Sequence, residues 1–322
     1  MNKLTSLFLI FLLFSQSLSS YVKYDGSRLI PLSYAPYEAY NANLIVSTSN
    51  LSQEMISYYS WFAAYGYCDD AEVPNLCCKS YKSFFTSKWT IVSESSISGY
   101  FTYNFILWRS DTYKKYILAF PGTRNKIVEL LTEAANIKLV NYNGVDNGIK
   151  VVNYFNQVAM AIKDIIWTQQ VLNDINKHPT YQFVLTGHSL GAAVASLVLY
   201  DAVNRNIIKS ANQPALVAYG MPRTGNKNWV VDFNSKIKNV LRVVRNSDVV
   251  TNLPTTLWNS PYYHLGGLVM LNKDVTEMYY CPQDIGEGYS DKVCKTSISF
   301  DVKYHSYYFN PDVKFSDICE TY

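Results

Sequence analysis

From residue 116 onward, short apolar runs rich in β-branched and aromatic residues alternate with longer stretches in which apolar positions recur at helical spacing. The short runs at 116–120, 182–186, 215–219, 240–245 and 267–271 predict strands. Continuous runs such as Phe183-Val184-Leu185 suit strands covered on both faces, the condition of a mostly parallel sheet. Between them, Val151, Val152, Phe155, Val158, Ala159, Ile162 and Ile165 form one helical stripe, and Leu190, Val194, Leu197 and Val198 form another. Residues 50–67 predict a further helix. No repeat, low-complexity linker or charge block interrupts the pattern, so residues 20–322 are expected to form a single α/β domain with helices on both faces of the sheet.

The amino terminus reads differently. Lys3 precedes an apolar run over 4–14, followed by Ser15, Ser17, Ser19 and Ser20. This is the layout of a secretory leader, residues 1–19, with cleavage near 19/20; it is too short for a comfortable membrane span. No later stretch is apolar enough to cross a bilayer, so the expected destination is the exterior or the lumen of a secretory organelle. The 6 cysteines suit that compartment, where disulfides are the default. Cys281 and Cys294 enclose a short polar segment as a local disulfide loop would, Cys68 and Cys319 could tie an early helix to the end of the chain, and the adjacent Cys77 and Cys78 stay unassigned. Paired Cys-x-x-Cys knuckles are missing and the 4 histidines are scattered, which argues against a zinc site. The formal charge of +3 leaves no nucleic-acid footprint. The 28 tyrosines would suit a surface that meets lipid or sugar, and equally a tyrosine-rich composition with no such role.

Candidate chemistry begins at Gly187-His188-Ser189-Leu190-Gly191. Such a pentapeptide is common by chance, but here a predicted strand precedes Ser189 and a predicted helix follows it, the setting of a nucleophile elbow. The turn would lift the Ser189 hydroxyl above the sheet, and the helix N-terminus would set amide donors beside a developing oxyanion. A serine needs a general base, and the base needs a carboxylate; in this kind of fold they follow in the order Ser, Asp, His. Asp248 lies just past the strand at 240–245, where functional groups of α/β sheets gather, although Asn246 and Ser247 also suit a plain turn. Asp232, Asp274, Asp284 and Asp291 lack that placement. His188 adjoins the serine and His178 precedes a proline, so both read as structural; His264 and His305 both follow Asp248, and chain order allows either. The turn Pro121-Gly122-Thr123 after the strand at 116–120 offers the Thr123 N–H as one oxyanion donor, with the Leu190 N–H as the other.

These motifs, with Tyr219-Gly220-Met221-Pro222-Arg223-Thr224-Gly225-Asn226, Arg242-Val243-Val244-Arg245-Asn246-Ser247-Asp248, Leu253-Pro254 and His305-Ser306-Tyr307-Tyr308-Phe309, resemble the fungal-type triacylglycerol lipases, the class 3 lipases, from about residue 59 to 309. The resemblance implies an α/β-hydrolase fold and a triad of Ser189, Asp248 and His305. It implies that His264 is not the base and that Thr123 serves the oxyanion hole. It also implies a short helical lid over 124–138, where Ile127, Leu130, Leu131, Ala134 and Ala135 share one helical face. The implied substrate is a lipid ester at a lipid–water interface, with no metal or organic cofactor. Phospholipase A1 and feruloyl esterase activities fit the same scaffold; acyl transfer and non-catalytic lipid binding are the remaining readings. In place of the usual spaced pair of early cysteines the chain has Cys77-Cys78, the lid lacks a tryptophan, and Pro121 stands where an arginine is frequent.

Overall fold

The computed structural model describes residues 22–24, 45–47, 49, 51–67, 88–97, 103–123, 137–255, 261–281, 292–297, 301–309 and 313–317. In chain order they form β1 (Val22–Tyr24), α1 (Gln53–Tyr65), β2 (Thr90–Ile97), β3 (Tyr103–Ser110), β4 (Lys115–Phe120), β5 (Leu139–Asn141), β6 (Lys150–Val152), α2 (Asn153–Ile166), α3 (Gln169–Lys177), β7 (Gln182–His188), α4 (Leu190–Asn204), β8 (Ala215–Tyr219), α5 (Lys227–Lys236), β9 (Asn239–Arg245), β10 (Leu268–Leu271), β11 (Met278–Cys281) and α6 (Lys303–Ser306). The leader, residues 68–87 with their three cysteines, lid residues 124–136 and Cys319 lie outside the described residues.

One sheet organises the molecule, in the order β1-β11-β10-β9-β8-β7-β4-β3-β2. Its centre, β4, β7, β8, β9 and β10, is parallel, and antiparallel strands extend it at both edges. The five expected strands form this parallel centre. Alternation along each strand assigns the two faces. Val184, Val217, Leu241 and Val243 pack toward α1, whereas Phe183, Leu185, Leu216 and Ala218 pack toward α2 and α4. Helices therefore cover both faces, and each fully buried aliphatic side chain contributes about 1.5–3 kcal/mol.

α1 starts where the Ser52 hydroxyl accepts the Met55 N–H at 3.1 Å, and it is joined to β8 by the Tyr219 hydroxyl donating to the Ile56 carbonyl at 2.5 Å. α4 is buried over every residue from 190 to 202, because the sheet lies on one side and α2 on the other. An apolar stripe suffices for a surface helix; α4 is apolar nearly all round.

The stripe expected to begin at Val151 divides in two. Val151 and Val152 belong to β6, paired with Val140 and Leu139, and the Val152 N–H is taken by the Thr224 carbonyl at 2.8 Å. The helix begins at Asn153, and Ile165 is exposed while Ile166 takes the buried place. Adjacent β-branched residues favour extended backbone, and here a hairpin partner was available to use it. Cys281 and Cys294 form a disulfide that closes the loop following β11.

Candidate active site

The parallel strands end level with one another: Phe120 is opposite Gly187, His188 opposite Tyr219, and Tyr219 opposite Val243. The segments that leave β4, β7, β8 and β9 therefore meet at a single edge, the usual site of function in an α/β sheet.

Ser189 stands between β7 and α4 with φ 56° and ψ −126°, a conformation that costs a side-chain-bearing residue on the order of 1–3 kcal/mol. The neighbourhood holds it there. Its N–H donates to the Tyr219 carbonyl at 2.8 Å, and its own carbonyl accepts from Ala192 at 3.1 Å as the helix begins. So sharp a turn needs Gly191, since a Cβ at that position would lie 2.5 Å from the Phe120 carbonyl oxygen and would strike that of Pro121. The Leu190 N–H opens the helix and has no acceptor within it. Thr123 follows Gly122, where a Cβ would fall 2.9 Å from that of Ser189, so the turn after β4 lies against the serine.

Asp248 follows β9 through a turn in which Ser247 has φ 75°. Its carboxylate is fully buried and accepts three donors: His305 Nδ1 at 2.9 Å, the Tyr308 hydroxyl at 2.7 Å and the Val250 N–H at 2.9 Å. A carboxylate only accepts, so His305 Nδ1 carries the proton and Nε2 is left with a lone pair. His305 Nε2 and the Ser189 hydroxyl are both buried, and neither makes a hydrogen bond among the described residues. A neutral imidazole held in this way can take a proton from a hydroxyl that moves onto it. Gly220, φ 57°, forms the floor: a Cβ there would lie 2.8 Å from His305 Cε1 and 3.0 Å from Asp248 Oδ2.

Three contacts here have no counterpart in the motif reading. Tyr308 is buried, with its hydroxyl on Asp248, and burial followed by that carboxylate raises its pKa well above the usual phenol value. Its signal was its place three residues after His305. Arg245 donates to the carbonyls of Tyr307 and Lys273, pinning the segment that bears His305 to the end of β9. His188 is structural, as its position implies, but it stacks on the His305 ring at a centroid distance of 4.6 Å.

His264 turns to a different partner. Its Nε2 donates to the Thr251 carbonyl at 2.7 Å, and the Thr251 hydroxyl donates to the Asp248 carbonyl at 2.9 Å, so it braces the aspartate loop. His178 is close to Tyr116 and Asp174, with its Nδ1 2.9 Å from the Tyr116 hydroxyl, in the turn leading into β7.

Against this geometry, the family model described as Lipase (class 3) matches residues 117–258, a span that holds the elbow, the turn after β4 and Asp248. Over that span the chain is similar to the class 3 lipases. It is 26% identical over 274 residues to a lipase of Rhizopus niveus, covering 84% of this chain and 66% of that protein, so it spans slightly under two thirds of that relative. Over a shorter stretch of 92 residues it is 40% identical to phospholipase A1-II 1 of Oryza sativa subsp. japonica, 26% of this chain and 23% of that one. The Rhizomucor miehei triacylglyceride lipase structure superposes with a TM-score of 0.70 at 24% identity, over 83% of this chain and 98% of that chain. The fold is that of the α/β-hydrolases.

Burial holds the pKa values of His188 and His264 well below 6.5, helped by His305 for the first and by Arg242 and Arg223 for the second. The sign follows from linkage. In the unfolded chain these rings bind protons at ordinary histidine values and in the folded chain they do not, so stability is present above that range and falls as pH drops below it. Each ring should contribute a slope of up to about 1.4 kcal/mol per pH unit. Urea denaturation at pH 7 and pH 5 should show the decline, and His264→Gln should flatten it; an unchanged slope in that variant would remove this account.

Proposed function

We propose that this chain is a serine ester hydrolase acting on lipid esters, with triacylglycerol as the first substrate class. The observation that carries this reading is the carboxylate-held imidazole of His305, whose second nitrogen is buried and without a hydrogen bond among the described residues, as is the Ser189 hydroxyl on its strained turn at the same sheet edge. In this reading His305 takes the Ser189 proton as the hydroxyl attacks the ester carbonyl, and Asp248 orients the ring and stabilises its charged form. The Leu190 and Thr123 N–H groups hold the oxyanion, the alcohol leaves with the proton from His305, and water releases the acyl group by the same relay in reverse. Residues 20–322 act as one hydrolase domain and the chain is secreted, a reading supported by the leader-like start and by the Cys281–Cys294 disulfide. Among the described residues no helix is long and apolar enough to cross a membrane.

A second reading, phospholipase A1 activity, is favoured by the 40% identity to the rice enzyme over its 92-residue match. Two measurements test the proposal. A fluorophosphonate probe should label wild-type protein at Ser189, and labelling elsewhere or not at all would overturn the hydrolase assignment. Product analysis on emulsified triacylglycerol, phospholipid vesicles and a soluble short-chain ester should show fatty acid release from triacylglycerol; release from phospholipid alone would replace the first substrate class by the second.

A further inference from the structure

Tyr67, just past the end of α1, places its hydroxyl 2.6 Å from Nδ1 of His188, and Nε2 of the same ring is 3.0 Å from the main-chain carbonyl oxygen of His305. The chemistry decides which atom donates. A carbonyl can only accept, so Nε2 of His188 carries the proton, Nδ1 presents a lone pair, and the phenol donates to it. Both bonds are buried. The ring is also sandwiched, with His305 on one side at 4.6 Å and Phe315 on the other at 4.3 Å, 11° from parallel, while Tyr308 meets it at a steep angle. The Tyr67 hydroxyl lies directly against Gly122, and a Cβ at Gly66 would be 3.0 Å from Pro121. The exit of α1 therefore touches the turn that leads to Thr123, the ring beside the serine and, through that ring, the segment that bears His305.

We propose that Tyr67 and His188 are positioning residues for the hydrolytic reaction, forming a chain of hydrogen bonds from the Tyr67 hydroxyl through the His188 ring to the His305 carbonyl that holds the base over the elbow. The inference rests on the triad reading given above. His305 sits on α6, a helix of 4 residues, too short to hold its own conformation. The Asp248 carboxylate fixes one atom of its ring, which leaves rotation about that contact; the carbonyl bond fixes the backbone of the same residue, and the two anchors together set where Nε2 points. The neutrality of His188 matters as well. When His305 accepts the serine proton it becomes a cation stacked on this ring, and a neutral neighbour spares it like-charge repulsion. A protonated His188 would also have no lone pair for Tyr67.

Three substitutions separate hydrogen bonding from mere space filling. His188→Phe keeps an aromatic ring between His305 and Phe315 but removes both bonds. His188→Gln gives up the stacked ring but keeps an amide donor for the carbonyl and an amide oxygen for the phenol. Tyr67→Phe removes one oxygen only. On a soluble ester, His188→Phe should lower kcat by about tenfold to a hundredfold with KM within about twofold, His188→Gln should recover most of that loss, and Tyr67→Phe should lose about threefold to tenfold. Melting temperatures establish that each variant is folded. A His188→Phe enzyme as fast as His188→Gln, or faster, would overturn the proposal, because the ring would then serve only packing. If His188→Phe does not fold, the other two decide: kcat unchanged in Tyr67→Phe overturns it, and a loss there with His188→Gln active supports it. Wild-type protein that neither turns over ester nor reacts with the fluorophosphonate probe would instead sink the triad reading, and this inference with it.

Discussion

Ser189→Ala should lower turnover of a soluble ester by about 10⁴-fold to 10⁶-fold, while its melting temperature stays level or rises by a few degrees. The two halves of this expectation come from one fact: the hydroxyl makes no hydrogen bond among the described residues although it is buried. Deleting an unsatisfied buried polar group removes a desolvation cost and no structural bond. The backbone strain at φ 56° is shared by alanine and does not change. Steady-state kinetics and a thermal melt on the same preparation check both halves. Activity close to wild type would mean that Ser189 is not the nucleophile, whatever the shape of its turn.

Asp248→Asn should combine a large but smaller loss of rate with a loss of stability. The carboxylate accepts from His305 Nδ1, Tyr308 and the Val250 N–H. An amide offers a single acceptor oxygen and adds two donors, so buried donors are left without acceptors at about 1–3 kcal/mol each. If its nitrogen faces the ring, it donates to Nδ1 and drives the ring proton to Nε2, the position that must be empty to receive the serine proton. A fall in kcat of about 10³-fold to 10⁴-fold is expected from the wrong tautomer. Unlike Ser189→Ala, this variant should melt several degrees below wild type in a thermal scan. An Asp248→Asn enzyme retaining more than a tenth of wild-type kcat would remove the aspartate from the proposed relay.

What could be read from the residues divides along physical lines. The parallel strands were legible because burial on both faces leaves continuous apolar runs, as in Phe183-Val184-Leu185. β2 left no comparable trace: residues 93–96 read Ser-Glu-Ser-Ser, with no apolar run to mark an edge strand that pairs only with the neighbouring β3. Val151 and Val152 misled because apolar spacing counts residues and cannot tell that Leu139 and Val140 will arrive as partners. In the site, Ser189 and Asp248 stand out because each follows a strand directly. The choice between His264 and His305 needed the family pattern, since both follow Asp248 and only packing turns one ring to Thr251 and the other to the carboxylate. Tyr67 could not be found at all. It is separated from His188 by 121 residues, and no local spacing reports a contact made by the fold.

The burial of α4 has a further consequence. Helices enclosed on all sides, with mid-sheet strands beside them, exchange their amides only when the whole domain opens, whereas short marginal segments open alone. Ser189 joins β7 to α4 and so rides on the part that opens last. His305 rides on one helical turn close to the end of the chain. On heating, then, the segment bearing His305 should leave while Ser189 is still in place, and activity lost at that stage should return on cooling; ester turnover measured after brief warming below the global melt checks this.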